Sequence, residues 1–401
     1  MPMESAGAPI SATFEYNALF DEYGGMIAPC VQLLLGGMEL RAEGTPLIVD
    51  NLIIELTAGY EASVASFRIY NVYDHKKGTF RYEDIKNQLY LGAVVKLDIG
   101  YLTYAETVFV GFVAGISFGY DPGDLPYIEV SCMDIKGLMM ANSYAAQLKA
   151  KSYGEAVREI FTRPGSSYEK FKLKEGYIDL EVSDTPDKQE GGGGDSTASA
   201  ETIEMVTESD YEFIVRAAKR FNFEFFVDRG IIYFRKAKSD KIPLMQLSVG
   251  EGLISFRIEY SITGIVGSIE ARAINSADGK LVTYKKKMDN EISTASAARD
   301  MVSEGSKVFV DPSIITDIDA EARVDSLMEK MSYRLGNLEA ECFGIPELCP
   351  GRFITIHNME TPGDNDFYIM RVTHTFSSDR GYRTSIVGCA DKVQNTEVGM
   401  P

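Results

Sequence analysis

The stretch from Thr207 to Lys236 constrains the fold of this chain most, because its hydrophobic period changes halfway along. Ser209 followed three residues later by Glu212 is the capping-box pattern that begins a helix. Beyond Asn222 the pattern alternates and predicts two strands, residues 223–227 and 231–234, joined by a short turn at residues 228–230. The sequence therefore predicts a capped helix that leads into a β-hairpin. The apolar residues at helical spacing are Phe213, Ile214, Ala217, Ala218 and Phe221.

The first third of the chain has the pattern of a β-rich unit. Short alternating runs follow one another from Ile10 to about Met140, separated by Gly, Asp and Pro. This pattern predicts a small closed barrel or sandwich. The predicted strands are residues 30–35, 47–56, 62–73, 94–100, 107–118 and 127–133.

The middle of the chain combines helical and strand patterns. Ser152 and Glu155 form a second capping-box pattern and predict a helix over Ser152–Phe161. Residues 170–182 predict one or two strands. Residues 183–201 are rich in Gly and polar residues. Because neither a strand nor a Lys flanks the four glycines as a phosphate loop requires, we expect a disordered surface loop there.

The alternating pattern returns after residue 248 and predicts a second β-region that extends to residue 392. Gly252–Met288 reads as strands with a turn near Asn275. Ser293–Gly305 is weakly helical and Asp319–Leu335 strongly so, which predicts a helical insertion at about 293–336.

The charge balance argues against a nucleic-acid partner. The 401 residues include 59 acidic and 40 basic ones, a net charge of −19, whereas phosphate binding needs clustered Lys and Arg. No segment approaches the roughly 18 apolar residues of a membrane helix, and the N-terminus lacks a leader pattern. We therefore expect a product made in a cytoplasm, with no membrane anchor.

No pattern predicts a catalytic, cofactor-binding or metal-binding residue, so we predict no enzyme activity and no cofactor. His75, His357 and His374 do not form a zinc-protease motif, and His374 fits a strand residue with a satisfied hydrogen bond. The five cysteines are dispersed without a CxxC pair, which fits reduced thiols. Among 59 acidic residues a glycosidase pair could always be proposed, but the sequence singles out no two of them.

Three separate stretches resemble one protein family. They are the helix with its hairpin, the segment Gly92–Asp134, and the strands that follow Gly344. Together they resemble the phage late-control D family of contractile-tail hub proteins and the hub part of the type VI valine-glycine-repeat spike proteins. The residues that fill the family's patterns include Ser209, Asp210, Tyr211, Phe213, Phe221, Gly111, Asp134, Pro350, Gly351, Tyr368 and His374.

The resemblance implies an α+β, predominantly β fold with two tube-like β-barrel domains. The first barrel would span residues 1–140 and the second residues 248–392, including the helical insertion. An α+β insert domain, residues 141–247, would lie between them, and residues 393–401 would form a C-terminal tail.

The resemblance also implies the structural baseplate hub of a contractile injection particle, either a phage tail or a phage-tail-like bacteriocin. In such a hub three identical chains supply six barrels, which adapt a sixfold tail tube to a threefold spike and line the central channel. The implied partners are the chain itself as a homotrimer, the tail tube protein, baseplate wedge proteins and a tape-measure protein. Because the chain stops at residue 401, soon after the second barrel, the spike is expected to be a separate protein.

Two functions of other classes stay open at this stage. One is a cell-wall or carbohydrate-active hydrolase of a tail, whose carboxylates the sequence does not reveal. The other is a β-rich carbohydrate-binding module, for which the 22 Tyr and 21 Phe would supply stacking surfaces. Oligomeric state and peptidoglycan hydrolysis would separate these functions from a hub.

Overall fold

The structure of the chain is a computed structural model. It describes residues 13–41, 46–141, 143–164, 168, 179–185, 203–275, 279–288, 302–311, 314, 317–360 and 362–393. Four predicted stretches lie wholly or largely outside these ranges: residues 186–201 of the Gly-rich loop at 183–201, residues 293–301 of the weakly helical stretch at 293–305, residues 170–178 of the strand prediction at 170–182, and the tail beyond residue 393.

The described residues form five α-helices and many short strands. The helices are α1 Tyr16–Glu22, α2 Lys136–Met139, α3 Tyr153–Thr162, α4 Asp210–Phe221 and α5 Asp317–Ser332. The strands are β1 Pro29–Leu35, β2 Met38–Glu39, β3 Ile48–Thr57, β4 Val64–Tyr70, β5 Tyr73–Asp74, β6 Thr79–Phe80, β7 Val94–Tyr101, β8 Tyr104–Gly119, β9 Tyr127–Met133, β10 Tyr144–Leu148, β11 Asp179–Val182, β12 Ile203–Glu208, β13 Phe223–Asp228, β14 Ile231–Lys236, β15 Pro243–Val249, β16 Gly252–Tyr260, β17 Ser268–Ile274, β18 Leu281–Lys287, β19 Ser306–Val310, β20 Gly336–Phe343, β21 Phe353–Ile356, β22 Asn365–Ser377 and β23 Gly381–Ala390.

One continuous sheet of thirteen strands dominates the molecule. Its C-terminal part, β15, β16 and β20 to β23, closes on itself because β22 pairs with both β21 and β23, and we call it the C-terminal barrel. Its N-terminal part, β1, β3, β4 and β7 to β9, also has six strands, but it does not close over the described residues because β1 and β3 do not pair with each other. We refer to this open unit as the N-terminal barrel. The predicted fold class, α+β and predominantly β, is confirmed.

The two barrels repeat one strand order. If the six strands of each barrel are lettered A to F along the chain, the hydrogen-bonded order is A-D-E-F-C-B in both. The pairs D–E, E–F, F–C and C–B are antiparallel in both barrels. The first strand differs, because β1 runs antiparallel to β7 whereas β15 runs parallel to β21. The barrels are therefore two copies of one topology with one strand reversed.

The repeat extends to individual hydrogen bonds. Gly92 and Gly351 lie two residues before strand D of their barrels, with φ of +84° and +83°. The Gly92 N–H donates to the Val113 carbonyl oxygen at 2.9 Å, and the Gly351 N–H donates to that of Ile369 at 3.0 Å. The ladder register shifts directly after both acceptors, at the step between strands E and F. Val113 and Ile369 are therefore equivalent positions.

The two barrels are joined edge to edge by a ladder between β3 and β22. This antiparallel ladder runs from Leu52 opposite Phe376 to Thr57 opposite Arg371. Buried side chains of both barrels form one hydrophobic core, which α1 covers with Tyr16 and Leu19. The barrels therefore have a fixed relative orientation.

Two smaller α+β units extend from the barrels. The first packs α3 and α4 against the sheet β11-β14-β13 and the pair β10–β12. The second packs α5 on the sheet β18-β17-β19. Residues 268–287, which were predicted as strands of the second barrel, thus lie outside the C-terminal barrel. Strand β19 lies within the predicted helical insertion at about 293–336, ahead of α5. The strand β15 straddles residue 247, where the sequence pattern placed the end of the insert.

We predict that Gly351→Ala destabilises the protein more than Gly92→Ala. Both variants carry the strain of a positive φ, about 1 to 2 kcal/mol. A Cβ on Gly351 would also lie 2.5 Å from the Phe226 ring, whereas a Cβ on Gly92 meets nothing within 4 Å. The overpacking adds about 1 to 3 kcal/mol, measurable by urea unfolding. Equal losses for the two variants would contradict the packing assigned to Gly351.

Candidate functional site

The residues singled out by the sequence converge on one loop, residues 344–351, which we call the junction loop. The loop connects β20 to β21 in the C-terminal barrel and is buried throughout. The N-terminal barrel contacts it from one side, and the hairpin β13–β14 contacts it from another. The junction loop is therefore the place where the three stretches that carry the family resemblance meet.

A buried aromatic network joins the two barrels at this loop. Tyr101, on β7, donates its hydroxyl hydrogen to the Gly344 carbonyl oxygen at 2.8 Å. Its ring lies 5.8 Å from that of Tyr382, on β23, whose hydroxyl lies 2.9 Å from His374 Nδ1. A side chain at position 344 is excluded, because its Cβ would lie 2.1 Å from the Tyr382 ring.

His374 is a neutral structural residue of this network. Its Nε2 lies 3.2 Å from the Leu348 carbonyl oxygen, which accepts the ring N–H, and its Nδ1 faces the Tyr382 and Thr384 hydroxyls. Burial lowers the pKa of His374 to about 3, against a smaller raising effect of the bond to Leu348. The strand position and satisfied hydrogen bonds predicted for His374 are confirmed.

The hairpin β13–β14 is fastened to the junction loop by two arginines. Arg229, in the hairpin turn, donates to the carbonyl oxygens of Pro346 and Glu347 at 3.3 and 3.0 Å. Arg235 donates to the carbonyl oxygen of Gly351 at 2.6 Å. The buried Pro350 precedes this glycine in the loop. The arginine side chains of the hairpin therefore hold the loop by its backbone carbonyl groups, a contact that we call the clamp.

A buried carboxylate completes the clamp. Glu224, on β13, accepts a hydrogen bond from the Tyr368 hydroxyl of β22 and another from Arg235 at 2.7 Å. Burial is the largest effect on the pKa of Glu224 and raises it, opposed by Arg235 and the bond from Tyr368. Tyr368 thus links the C-terminal barrel to the hairpin.

The helix α4 begins with the predicted capping box and holds the hairpin from behind. Ser209 Oγ accepts from the Glu212 N–H at 3.1 Å, and Glu212 Oε2 accepts from the Ser209 N–H at 2.8 Å. Asp210 is buried and accepts from the Tyr168 hydroxyl at 2.6 Å. Three aromatic side chains of the helix pack in or against the core of the insert: Tyr211, Phe213 and Phe221.

The two signature residues of the N-terminal barrel have structural roles of their own. Gly111 admits no side chain, because a Cβ would lie 2.2 Å from the Met133 carbonyl oxygen. Asp134 is buried and accepts from the N–H groups of Ser63 and Lys136 at 2.8 and 2.9 Å. The Lys136 ammonium lies 5.5 Å from the centre of the Phe225 ring, so this corner also contacts the hairpin.

The carboxylates in the surface grooves are engaged in structural contacts. In a groove of about 490 Å³, Asp319 pairs with Arg220 at 2.8 Å and Asp311 with Arg323 at 2.9 Å. In a second groove of about 610 Å³, Glu61 lies 3.6 Å from Arg371. Each of these three carboxylates is thus held by an arginine of the chain itself, and Glu224, which also lines the second groove, is bonded to Arg235 and Tyr368. The described residues contain no group of three or more His, Cys, Asp or Glu that could hold a metal ion.

Among the described residues, no helix is long and apolar enough to cross a membrane.

Several residues of the network were not predicted from the sequence. Tyr23, on the segment after α1, donates its hydroxyl hydrogen to Glu347 of the junction loop. No pattern in the sequence singled out Arg229, Arg235 or Glu224. The signal they share is a charged side chain within an otherwise apolar hairpin, where charges rarely lie unless they are paired.

No protein-family model matches the chain, and no curated protein matches it in sequence. Solved structures do share its fold. A tail protein from Neisseria meningitidis MC58 superposes with a TM-score of 0.63 at 14% identity, covering 91% of this chain and 97% of its own. The 43 kDa tail protein of prophage MuSo2 from Shewanella oneidensis gives the same TM-score and identity, covering 90% and 98%.

A third similar structure comes from a secretion system. The E. coli c3393 protein, described as a type VI secretion component similar to the T4 bacteriophage tail proteins gp27 and gp5, has a TM-score of 0.50 at 12% identity. The match covers 89% of this chain and 79% of that one. The chain therefore has the fold of tail proteins, and the resemblance seen in the sequence is confirmed at the level of the fold.

The arrangement as a whole is a rigid joint. Hydrogen bonds, ring contacts and two glycines without room for a Cβ hold both barrels and the hairpin on one loop. Each strongly buried acid described above is bonded to another part of the chain. The site is suited to keeping two barrels in a fixed relation.

We predict that Asp228→Asn becomes more favourable for stability as the pH rises from 4 to 7. Burial raises the pKa of Asp228 to about 6, although Arg229 and Arg235 lower it. The native protein therefore holds a proton that the unfolded chain loses near pH 4, and the wild type loses stability between those values. The full effect is about 3 kcal/mol.

Urea unfolding of both proteins at pH 4, 5, 6 and 7 measures the difference. Asp379→Asn is a matched control, because Asp379 is exposed and lies away from the hairpin. A constant difference between the Asp228→Asn variant and the wild type across this range would show that Asp228 has an ordinary pKa.

Proposed function

We propose that this protein is the structural hub of a contractile injection particle, with no catalytic role of its own. The observation that carries the proposal is the duplicated barrel: one chain holds two units of the same strand order, side by side and joined by one ladder. The fold it shares with two tail proteins over nine-tenths of its length supports this proposal.

A duplicated barrel suits a change of symmetry. Three copies related by a threefold axis would present six similar barrels, which a sixfold tube can contact at equivalent places. The features outside the repeat, namely the two α+β units, would occur three times and keep the threefold symmetry of a spike. The rigid joint at residues 344–351 would hold the six barrels in one ring.

The acidic composition fits a ring with a central passage. With a net charge of −19 per chain, three copies would carry a large negative charge, which disfavours tight binding of nucleic acid or acidic protein that passes through. We propose that the partners are the tail tube, a separate spike and baseplate wedge proteins. The chain would be made in a bacterial cytoplasm and assembled into an extracellular particle, either a phage tail or a phage-tail-like bacteriocin.

We expect the purified chain to assemble into a trimer that lacks wall-degrading activity. Sedimentation and light scattering measure the mass of the assembly. Electron-microscopic averages should show a ring with six similar lobes and threefold differences outside it. Purified peptidoglycan should stay intact when it is incubated with the protein.

A lysozyme sample is the positive control for the hydrolysis assay. A monomer that releases peptidoglycan fragments would end the hub proposal in favour of a hydrolase. A monomer that binds glycan without cleaving it would instead favour a carbohydrate-binding module.

A further inference from the structure

Two strand edges stay unpaired in the described part of the chain. Beyond Val113, β8 continues for six residues with β9 on one side and no strand on the other. On β16, residues 255–260 pair with β20 on one side and have no partner on the other. An unpaired edge exposes backbone N–H and C=O groups that readily accept another strand.

The internal repeat shows what such edges do elsewhere in the molecule. Strand β8 is strand E of the N-terminal barrel, and its equivalent is β22. Strand β16 is strand B of the C-terminal barrel, and its equivalent is β3. Within the chain, β22 and β3 pair with each other over the ladder that joins the barrels. The free edges of β8 and β16 are thus equivalent to the edges of β22 and β3, which pair with each other inside the chain.

The residue equivalences follow from the ladders. Val113 corresponds to Ile369, so Ser117 corresponds to Thr373. In the N-terminal barrel Ile54 pairs with Ala65, which pairs with Cys132. In the C-terminal barrel Ile258 pairs with Leu338, which pairs with Gly388. Cys132 and Gly388 are equivalent because they pair with Val113 and Ile369, so Ile258 corresponds to Ile54. Glu259 therefore corresponds to Glu55. Because Thr373 lies opposite Glu55 inside the chain, Ser117 would lie opposite Glu259.

The side chains of the free edges have the character of an interface. At the internal joint, Leu52 and Ile54 are buried beneath the ladder. Their equivalents Phe256 and Ile258 are apolar, and Phe256 is 39% exposed. On the other edge Phe118 and Tyr120 are 49% and 70% exposed, although Phe80 and Tyr82 pack against the ring of Phe118. Apolar side chains therefore line both free edges, at positions like those that the internal joint buries.

We propose that β16 of one copy of this chain pairs antiparallel with the distal half of β8 of a second copy, with Glu259 opposite Ser117. The contact repeats between chains the β3–β22 joint found within the chain. It is a head-to-tail contact, because each copy offers its β16 edge to one neighbour and its β8 edge to the other. The proposal rests on the proposed hub for the number of copies in the ring, but the pairing and its register come from the repeat.

A disulfide across the ladder tests the register. The Ala58 N–H donates to the Met370 carbonyl oxygen, so Thr373 and Glu55 form a non-hydrogen-bonded pair, whose Cα atoms lie about 4.5 Å apart. The equivalent pair Ser117 and Glu259 is exposed, and a spacing of this kind admits a disulfide. We expect the double variant Ser117→Cys/Glu259→Cys to lose its monomer band on non-reducing gels after mild oxidation and to recover it with a thiol.

Four control proteins make the result specific. Each single-cysteine variant should stay monomeric on the gel. Ser117→Cys/Arg257→Cys, which shifts the register by two residues, should crosslink at least tenfold less. The wild type controls for its own thiols, of which Cys30 is the partly exposed one. Circular dichroism confirms that every variant is folded.

A second variant tests the interface without new cysteines. Phe256→Glu places a charge in the proposed apolar stripe and should shift the assembly to monomers in sedimentation. The equivalent exposed change on the opposite face of the strand, Arg257→Glu, should leave the assembly intact.

The outcomes separate this proposal from the hub proposal. A covalent trimer supports both. A covalent series of dimers, trimers and longer species supports the pairing but overturns the closed ring of three. A trimer by sedimentation that does not crosslink in this register overturns the pairing and leaves the hub. A monomer without crosslinks overturns both.

Discussion

The structure depends on the burial of polar groups around a single loop. Residues 344–351 carry backbone carbonyls that must find donors once water is excluded. The donors come from Tyr101 on one barrel and from Arg229 and Arg235 on the hairpin. Because these donors come from two other parts of the molecule, the N-terminal barrel and the hairpin, satisfying the loop also fixes the arrangement of these parts. The β3–β22 ladder then extends the same joint along a full strand edge.

The duplicated topology explains why the joint needs such rigidity. Two barrels that moved independently could not present equivalent surfaces to a common partner. Shared core packing and a continuous sheet remove that freedom within the chain. The first strand is the one that departs from the repeat: β1 runs antiparallel to β7, whereas β15, which follows the insert, runs parallel to β21.

Much of the local structure could be predicted from the sequence. The capping box at Ser209, the alternation of the barrel strands and the stop at Asn222, which has the left-handed backbone of a helix end, are short-range signals. The sequence could not show that residues 268–287 form a separate sheet, because alternation does not reveal which strands pair. The clamp was hidden for the same reason: Arg235 and Gly351 are distant in sequence, and their contact depends on the whole fold.

The ladder between β3 and β22 also has a consequence for biosynthesis. Asp50, at its edge, accepts hydrogen bonds from Ser378, 328 residues further along the chain. At about 5 to 20 residues per second, a ribosome needs about 15 to 65 seconds to make that distance. Throughout this interval the nascent N-terminal barrel has an open edge at β3, because its partner β22 has not yet been made. An open strand edge readily pairs with another strand, so the order of synthesis leaves this edge exposed until β22 has been made.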